Sequence, residues 1–322
     1  MNKRTEKIRE LASNLLKDGK VDMVIGFNQG TTPMATNPDI ARSPEQAEKF
    51  IWDNNCSINL ANYLADRKEK IGIIAKGCDT RNIVNHIVEN KISRDQLHII
   101  GVPCTGMIDK VKIASEFDDE IIEYNEDTGS DSDSGNNFSV KTASETKELL
   151  KKDYLKANCS TCMHRNPVIY DELAADLVEE PVIEDQFADV RAIEEMDSKD
   201  KWNYFDDLLK DCIRCYACRN ACPLCFCPTC FVDESDPQWV GKGQNDIDIR
   251  TFHFLRAYHC AGRCTDCGAC VEACPMDINV RAFTRKLVKD SFEIYGWEAG
   301  LDTEKRPPLD TFNPNDPDEF IK

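Results

Sequence analysis

The sequence predicts an α/β amino-terminal domain with a mainly parallel sheet, followed by a small α+β module held together by cysteine ligation. Three observations carry this. Short apolar runs at 21–27, 71–77 and 97–103 alternate with stretches of helical periodicity, a pattern that implies right-handed crossovers and a parallel sheet. The run Cys212, Cys215, Cys218, Cys222-Pro223 recurs as Cys264, Cys267, Cys270, Cys274-Pro275. The chain has 322 residues and is 41% hydrophobic, enough for two domains with ordinary cores.

Taken in order, MNKRTEKIRELASNLLKDGK is a charged amphipathic helix that lacks the apolar stretch of a signal peptide. VDMVIGF (21–27) reads as a buried strand that opens into a polar loop carrying Thr31 and Thr32. SPEQAEKFIWDNNCSINLANYLADRK (43–68) is expected to be helical, with Ser43 as N-cap, Pro44 at the first position and Cys56 as a mid-helix core residue. IGIIAKG (71–77) is the second strand, DTRNIVNHIVENK (79–91) a helix capped by Asp79, and LHIIGVP (97–103) the third strand. The acidic, Ser- and Gly-rich residues 125–138 are expected to form an exposed loop. This gives a first domain over 1–178, a linker over 179–200, a cysteine module over 201–290 with an insertion at 223–263, and a tail over 291–322. KWNYFDDLLKD (201–211) should be the helix that delivers the chain into the first cysteine run.

The C-x2-C-x2-C-x3-C-P spacing is the one that holds 4Fe–4S clusters in bacterial two-cluster ferredoxins, where the fourth cysteine of each run serves the other cluster. The module is therefore expected to be a bacterial dicluster ferredoxin-like α+β domain. Cys212, Cys215, Cys218 and Cys274 would hold cluster 1, and Cys264, Cys267, Cys270 and Cys222 cluster 2. That arrangement points to one-electron transfer. The insertion carries Cys225, Cys227 and Cys230 and the segment FHFLRAYHC (252–260), whose aromatics read as core laid over the clusters. With Cys260, and with His253 or His259, these thiols could form an additional centre, either a fourth cluster or a zinc site. They could equally be spare ligands or packed thiols.

Cys78 and Cys104 each follow a strand of the same sheet and so reach the same rim. Together with the Cys159/Cys162 pair they suffice for a third 4Fe–4S cluster; the other reading is two buried small residues and a redox pair. His86 and His98 read as core or surface residues. His164, two residues past Cys162, could donate a hydrogen bond to cluster sulfur.

Seventeen cysteines, an odd number with CxxC spacings, fit metal ligation in a reducing cytoplasm rather than disulfides, and oxygen-sensitive clusters fit an anaerobic cell. The net charge is −18, with 58 acidic against 40 basic residues, which argues against nucleic acid as a partner. No apolar run is long enough to span a membrane. There is no GxGxxG, Walker A, HExxH or Ser–His–Asp pattern, so the chemistry is assigned to cofactors.

Three landmarks carry a family resemblance. AKGCDTR (75–81), IIGVPCTG (99–106) and CSTCMHRNPVIYDELAADL (159–177) resemble the FrhB/FdhB-like beta subunits of deazaflavin-reducing hydrogenases and formate dehydrogenases. The resemblance covers about residues 15–180. Here the loop reads KGCD where Gly-Thr-Pro-Cys-Gln is commoner, and the cysteine module follows the domain instead of preceding it. Such forms are similar to subunits found beside heterodisulfide-reductase-like proteins. The resemblance implies FAD in the α/β domain, beside a cluster held by Cys78, Cys104, Cys159 and Cys162. Lys76, Gly77, Thr80 and Arg81 lie at a strand end and a helix N-terminus, with Thr31 and Thr32 at the same rim, where a flavin's phosphates would be favoured. The expected role is an electron-transfer subunit that relays electrons between clusters and FAD. Its partner would be of the heterodisulfide-reductase, hydrogenase or formate dehydrogenase type. The alternatives are a free-standing oxidoreductase using reduced deazaflavin or NAD(P)H, and a zinc-organised assembly module.

Overall fold

The computed structural model describes residues 2–126 and 137–310, and these form two compact units. The first holds the chain up to Thr80 together with Lys91–Ile183; the second holds Arg81–Asn90 and the chain from Glu184 onward.

The first unit begins with α1 (Lys3–Lys17), capped by the Asn2 side chain, which accepts from the Arg4 N–H at 2.9 Å. Its apolar stripe buries Ile8, Leu11, Ala12 and Leu15, the i, i+3, i+4, i+7 spacing of a helix facing a core. Then come β1 (Met23–Gln29), β2 (Thr36–Ala41), α2 (Pro44–Ala47), β3 (Ile71–Ala75), α3 (Gly77–Val88, counted with the second unit from Arg81 onward) and β4 (Leu97–Gly101). They are followed by α4 (Lys110–Ala114), β5 (Glu123–Glu126), β6 (Asn137–Lys141), β7 (Thr146–Leu150), α5 (Ala157–Ser160) and β8 (Glu172–Leu173). The main sheet has the order β2-β1-β3-β4-β8, with every neighbouring pair parallel except β1 and β2. All five residues of β3 are buried, as expected for a parallel strand covered on both faces. The predicted α/β class with a mainly parallel sheet is borne out. A separate antiparallel sheet, β5-β6-β7, packs Phe138 and Val140 with Ile108 and Ile113.

Several local expectations are corrected. Residues 43–68 do not form the expected continuous helix: beyond α2 only a 3-10 turn at Leu60–Tyr63 is helical. The segment is rich in Asn and Asp, whose side chains satisfy nearby backbone groups: Asp53 accepts from the Asn55 N–H at 2.8 Å, and Asn59 caps the 3-10 turn by accepting from the Ala61 N–H at 3.1 Å. Cys56 is buried as expected, but in this irregular stretch. The polar loop after the first strand is short, because β1 continues to Gln29 and turns back as β2. Asp79 is inside α3 rather than at its cap, and its carboxylate accepts from the Lys76 N–H at 3.0 Å. Of the acidic loop, residues 127–136 lie outside the described residues; 125, 126, 137 and 138 are strand.

The second unit contains α6 (Ala188–Glu194), α7 (Ser198–Leu209), α8 (Ala217–Asn220), α9 (Asp246–His259), α10 (Ala269–Glu272) and α11 (Arg281–Tyr295). The stretch expected as a linker at 179–200 therefore carries α6, tied to α11 by the Arg285 Nε–Asp189 pair at 2.6 Å. The core of the unit joins Leu209, Ile249, Phe252, Val280 and Phe283. Of the expected tail, 291–295 complete α11 and 311–322 lie outside the described residues. Among the described residues, no helix is long and apolar enough to cross a membrane.

Candidate iron-sulfur centres

The two cysteine runs of the second unit fold alike. In the first, Arg214 and Tyr216 take positive φ (53° and 62°); in the second, Asp266 and Gly268 do (58° and 75°). These are the same positions of the motif. The left-handed residues curl each loop so that amides face the sulfurs. The Asp266 N–H donates to Cys264 Sγ at 3.4 Å, and the amides of Arg214 and Ala269 do the same for Cys212 and Cys267. Glycine meets the backbone requirement at 268 without strain, whereas Tyr216 meets it as a bulky residue, its ring packed edge-on to Phe252 at 5.1 Å.

The fourth cysteines cross over. Cys222 lines one cavity with Cys264, Cys267 and Cys270. Cys274 acts on Cys212 and Cys218, and its Sγ accepts from the Ile278 N–H at 3.4 Å. Burial pushes the Cys218 thiol up to about 11 and the Cys264 thiol up to about 12. Such buried thiols give up a proton only to something that replaces its charge, as a bound metal does. Backbone donors aimed at sulfur, in a pocket that disfavours free thiolates, fit iron–sulfur ligation.

The thiols of the insertion divide into two sets. Cys225 and Cys260 converge on Cys222, the three sulfurs lying within 4.8 Å of one another. Cys227 and Cys230 do not join that group; they line a neighbouring cavity of about 440 Å³, and Cys227 is exposed. Donation from Cys225 and Cys260 holds the Cys222 thiol well below its ordinary range. His253 is not with these thiols. It stacks on Phe283, with its Nε2 3.4 Å from Cys212 Sγ, and burial together with Arg256 and Arg214 lowers its pKa to about 4. His259 packs edge-on to Phe231. The aromatic segment is only half core: Phe252 is buried and Tyr258 is exposed.

In the first unit, Cys78 opens α3 and Cys104 follows β4. Cys104 is electrostatically coupled to both Cys159 and Cys162. Backbone donors again meet sulfur: the Gly106 N–H reaches Cys104 Sγ and the Met107 N–H reaches Cys159 Sγ, each at 3.3 Å. Gly77 allows the Cys78 loop to approach closely, since a Cβ there would lie 2.5 Å from the His164 carbonyl oxygen. That carbonyl accepts from Cys162 Sγ at 3.4 Å, so the His164 backbone takes part in the site.

The residues considered for flavin phosphate are mostly engaged within the protein. Lys76 (2% exposed) pairs with Asp79 (0%) at 3.0 Å and donates to the Ile58 carbonyl at 2.9 Å. Thr80 donates to the Gly77 carbonyl at 2.9 Å and accepts from the Val168 N–H at 3.0 Å. Arg81, within the second unit, donates to the Ala299 carbonyl at 2.9 Å and pairs with Glu298 at 3.8 Å. Thr31 and Thr32 are exposed in the turn between β1 and β2. Sequence reasoning named Lys76 only for flavin phosphate and missed Lys151; both are buried cations beside the first-unit thiols. Lys76 acts on Cys78 and Cys104. Lys151 acts on Cys104 and Cys159 and donates to Asn54 and Thr105 at 2.5 Å each.

Residues 208–278 match the family model of the 4Fe-4S dicluster domain. With the crossed fourth cysteines, this defines the class: an iron–sulfur protein with a C-terminal dicluster module. The chain is similar over almost its whole length to the F420-dependent formate dehydrogenase subunit beta of Methanocaldococcus jannaschii, at 26% identity, covering 94% of this chain and 93% of that protein. The F420-dependent formate dehydrogenase 1 subunit beta of Methanococcus maripaludis matches at 24%, covering 94% and 92%. The chain is a homologue of these beta subunits, so the FrhB/FdhB-like resemblance holds. A chain of the F420-reducing [NiFe] hydrogenase complex from Methanosarcina barkeri aligns with a TM-score of 0.36 at 15% identity, covering 49% of this chain and 58% of that one.

Proposed function

We propose that the chain is an iron–sulfur flavoprotein subunit that relays electrons inside a multisubunit oxidoreductase, between 4Fe–4S clusters and FAD. The partner would be a catalytic subunit of formate dehydrogenase, hydrogenase or heterodisulfide-reductase type. The observation that carries this reading is the crossed placement of Cys222 and Cys274, which two interleaved cubane sites require and a pair of independent zinc sites does not. Clusters held there would supply one-electron steps, and a flavin would supply the junction at which an electron pair divides. The chain's own residues hold and screen these groups. Backbone amides at Gly106, Met107 and Asp266 donate to sulfur, and Lys76 and Lys151 set positive charge beside the first-unit thiols. Near full-length similarity to beta subunits of formate dehydrogenases supports the subunit role.

The test is to purify the chain anaerobically with its partners and to count iron, sulfide and flavin. About 12 irons and one FAD are expected if three cubanes form. About 8 irons without flavin would remove the cofactor role of the first unit. Zinc in excess of iron would replace electron transfer with an assembly role.

A further inference from the structure

Arg256 lies on α9, inside the insertion, and is 4% exposed. Three other arginines of the same unit are as deeply buried, and each meets a carboxylate: Arg281 and Arg285 pair with Asp266, and Arg214 approaches Asp248 at 3.8 Å. Among the described residues, Arg256 pairs with no carboxylate. Its Nη2 donates to the Cys218 carbonyl at 3.0 Å, and its Nε has no partner. A buried guanidinium without a counter-charge is strongly unfavourable, so its compensation must come from what surrounds it. Thiols are prominent in those surroundings. It lines the cavity of Cys222, Cys264, Cys267 and Cys270, while its bond to Cys218 reaches the other run. Burial alone would loosen its proton, but Cys222, Cys270, Cys260 and Cys218 hold it more firmly.

We propose that Arg256 is the counter-cation of the two C-terminal clusters, cluster 2 above all, and that it raises their reduction potentials. This rests on the cluster reading given above. Arg256 is a positioning residue and not a ligand. Each one-electron reduction adds a negative charge to a thiolate-ligated core. A fixed guanidinium and its free N–H donor therefore stabilise the reduced form more than the oxidised one. The insertion thus supplies a potential-setting device that a compact repeat of the two cysteine runs would lack.

The test uses the full chain purified anaerobically, with iron and sulfide counted and midpoint potentials read by electron paramagnetic resonance during redox titration. Arg256→Gln should keep its iron and shift the cluster 2 midpoint to more negative values, with a smaller shift in the same direction for cluster 1. Arg256→Lys, which keeps the charge and loses the fork, should fall between. Arg250→Gln, on the same helix but paired with Asp206 and Asp246, should leave both potentials unchanged. Wild-type potentials in a fully loaded Arg256→Gln chain would overturn the proposal, as would an equal shift from Arg250→Gln. If Arg256→Gln fails to hold iron, Arg256→Lys decides: a negative shift supports the assignment, and unchanged potentials overturn it. A wild-type chain devoid of iron and sulfide would instead sink the cluster reading itself.

Discussion

The two units collect thiols in opposite ways. In the second unit, ligand loops are written twice in contiguous sequence, and each loop shapes itself with left-handed residues at matching positions. In the first, Cys78, Cys104 and the Cys159/Cys162 pair come from three distant segments that meet because β3 and β4 are adjacent and parallel. The buried cations differ too. Lys76 is neutralised by Asp79 at 3.0 Å, whereas Arg256, among the described residues, pairs with no carboxylate and donates to the Cys218 carbonyl beside the thiols. A site built by a local motif is insensitive to the rest of the fold; a site built by topology depends on every element that sets the rim.

The largest test of that contrast is metal content. Cys104→Ala should cost about 4 of about 12 irons, leaving the dicluster spectrum intact. Cys222→Ala should cost cluster 2, whose other thiols it joins, although it belongs to the run that supplies cluster 1. Loss of cluster 1 with cluster 2 retained would break the interleaved picture, and iron analysis with anaerobic spectroscopy reads it.

Next in size is the buried pair. Lys76→Ala leaves Asp79 charged and unpaired in the core, at a cost of about 3–5 kcal/mol. Denaturant unfolding should show this in the first unit. The double replacement Lys76→Met with Asp79→Leu should recover most of the loss, because no charge is left stranded.

Gly77→Ala comes third. Its Cβ would press on the carbonyl oxygens of His164 and Asn166, 2.5 and 2.9 Å away, so about 1–3 kcal/mol should be lost. Iron retention should fall in the first unit alone. Equal loss in both units would show that the close approach at Gly77 does not act on the first-unit site specifically.

The smallest effect is one of pH. His86 is buried in the second unit, with Nε2 2.7 Å from the Pro223 carbonyl oxygen, and burial holds its pKa below the ordinary 6.5. The unfolded chain therefore binds a proton first as pH falls, and stability is lost as pH drops through about 6.5. Thermal melts of the second unit should show this slope, and His86→Asn should flatten it.

Much of this was legible in the sequence, and what was not has physical causes. The cysteine repeat was readable because ligand spacing is local, and the rim was readable because apolar runs ending in Cys78 and Cys104 sit at the ends of parallel strands. The stretch at 43–68 misled because its apolar residues have helical spacing, while the Asp53 and Asn59 side chains bond to nearby backbone instead. The β1–β2 hairpin was hidden by Pro38 and Asp39, residues that rarely signal a strand but are tolerated at a sheet edge. Arg256 was invisible for another reason. A charged residue in an amphipathic pattern reads as solvent-facing, and only tertiary packing shows that it lies beside sulfur. Among the insertion thiols, spacing grouped Cys225, Cys227, Cys230 and Cys260, but folding selected Cys225 and Cys260 and brought them to Cys222.

The exchange of Cys222 and Cys274 between loops has a mechanical consequence. With iron bound as proposed, each loop would be sewn to the other by an inorganic knot as well as by the peptide between them. A protease that severs the insertion near 233–244 would leave two pieces that still travel together in a native gel. They would part only when a chelator or an oxidant dissolves the stitches and denaturant undoes the core that Leu209 shares with Ile249, Phe252 and Phe283.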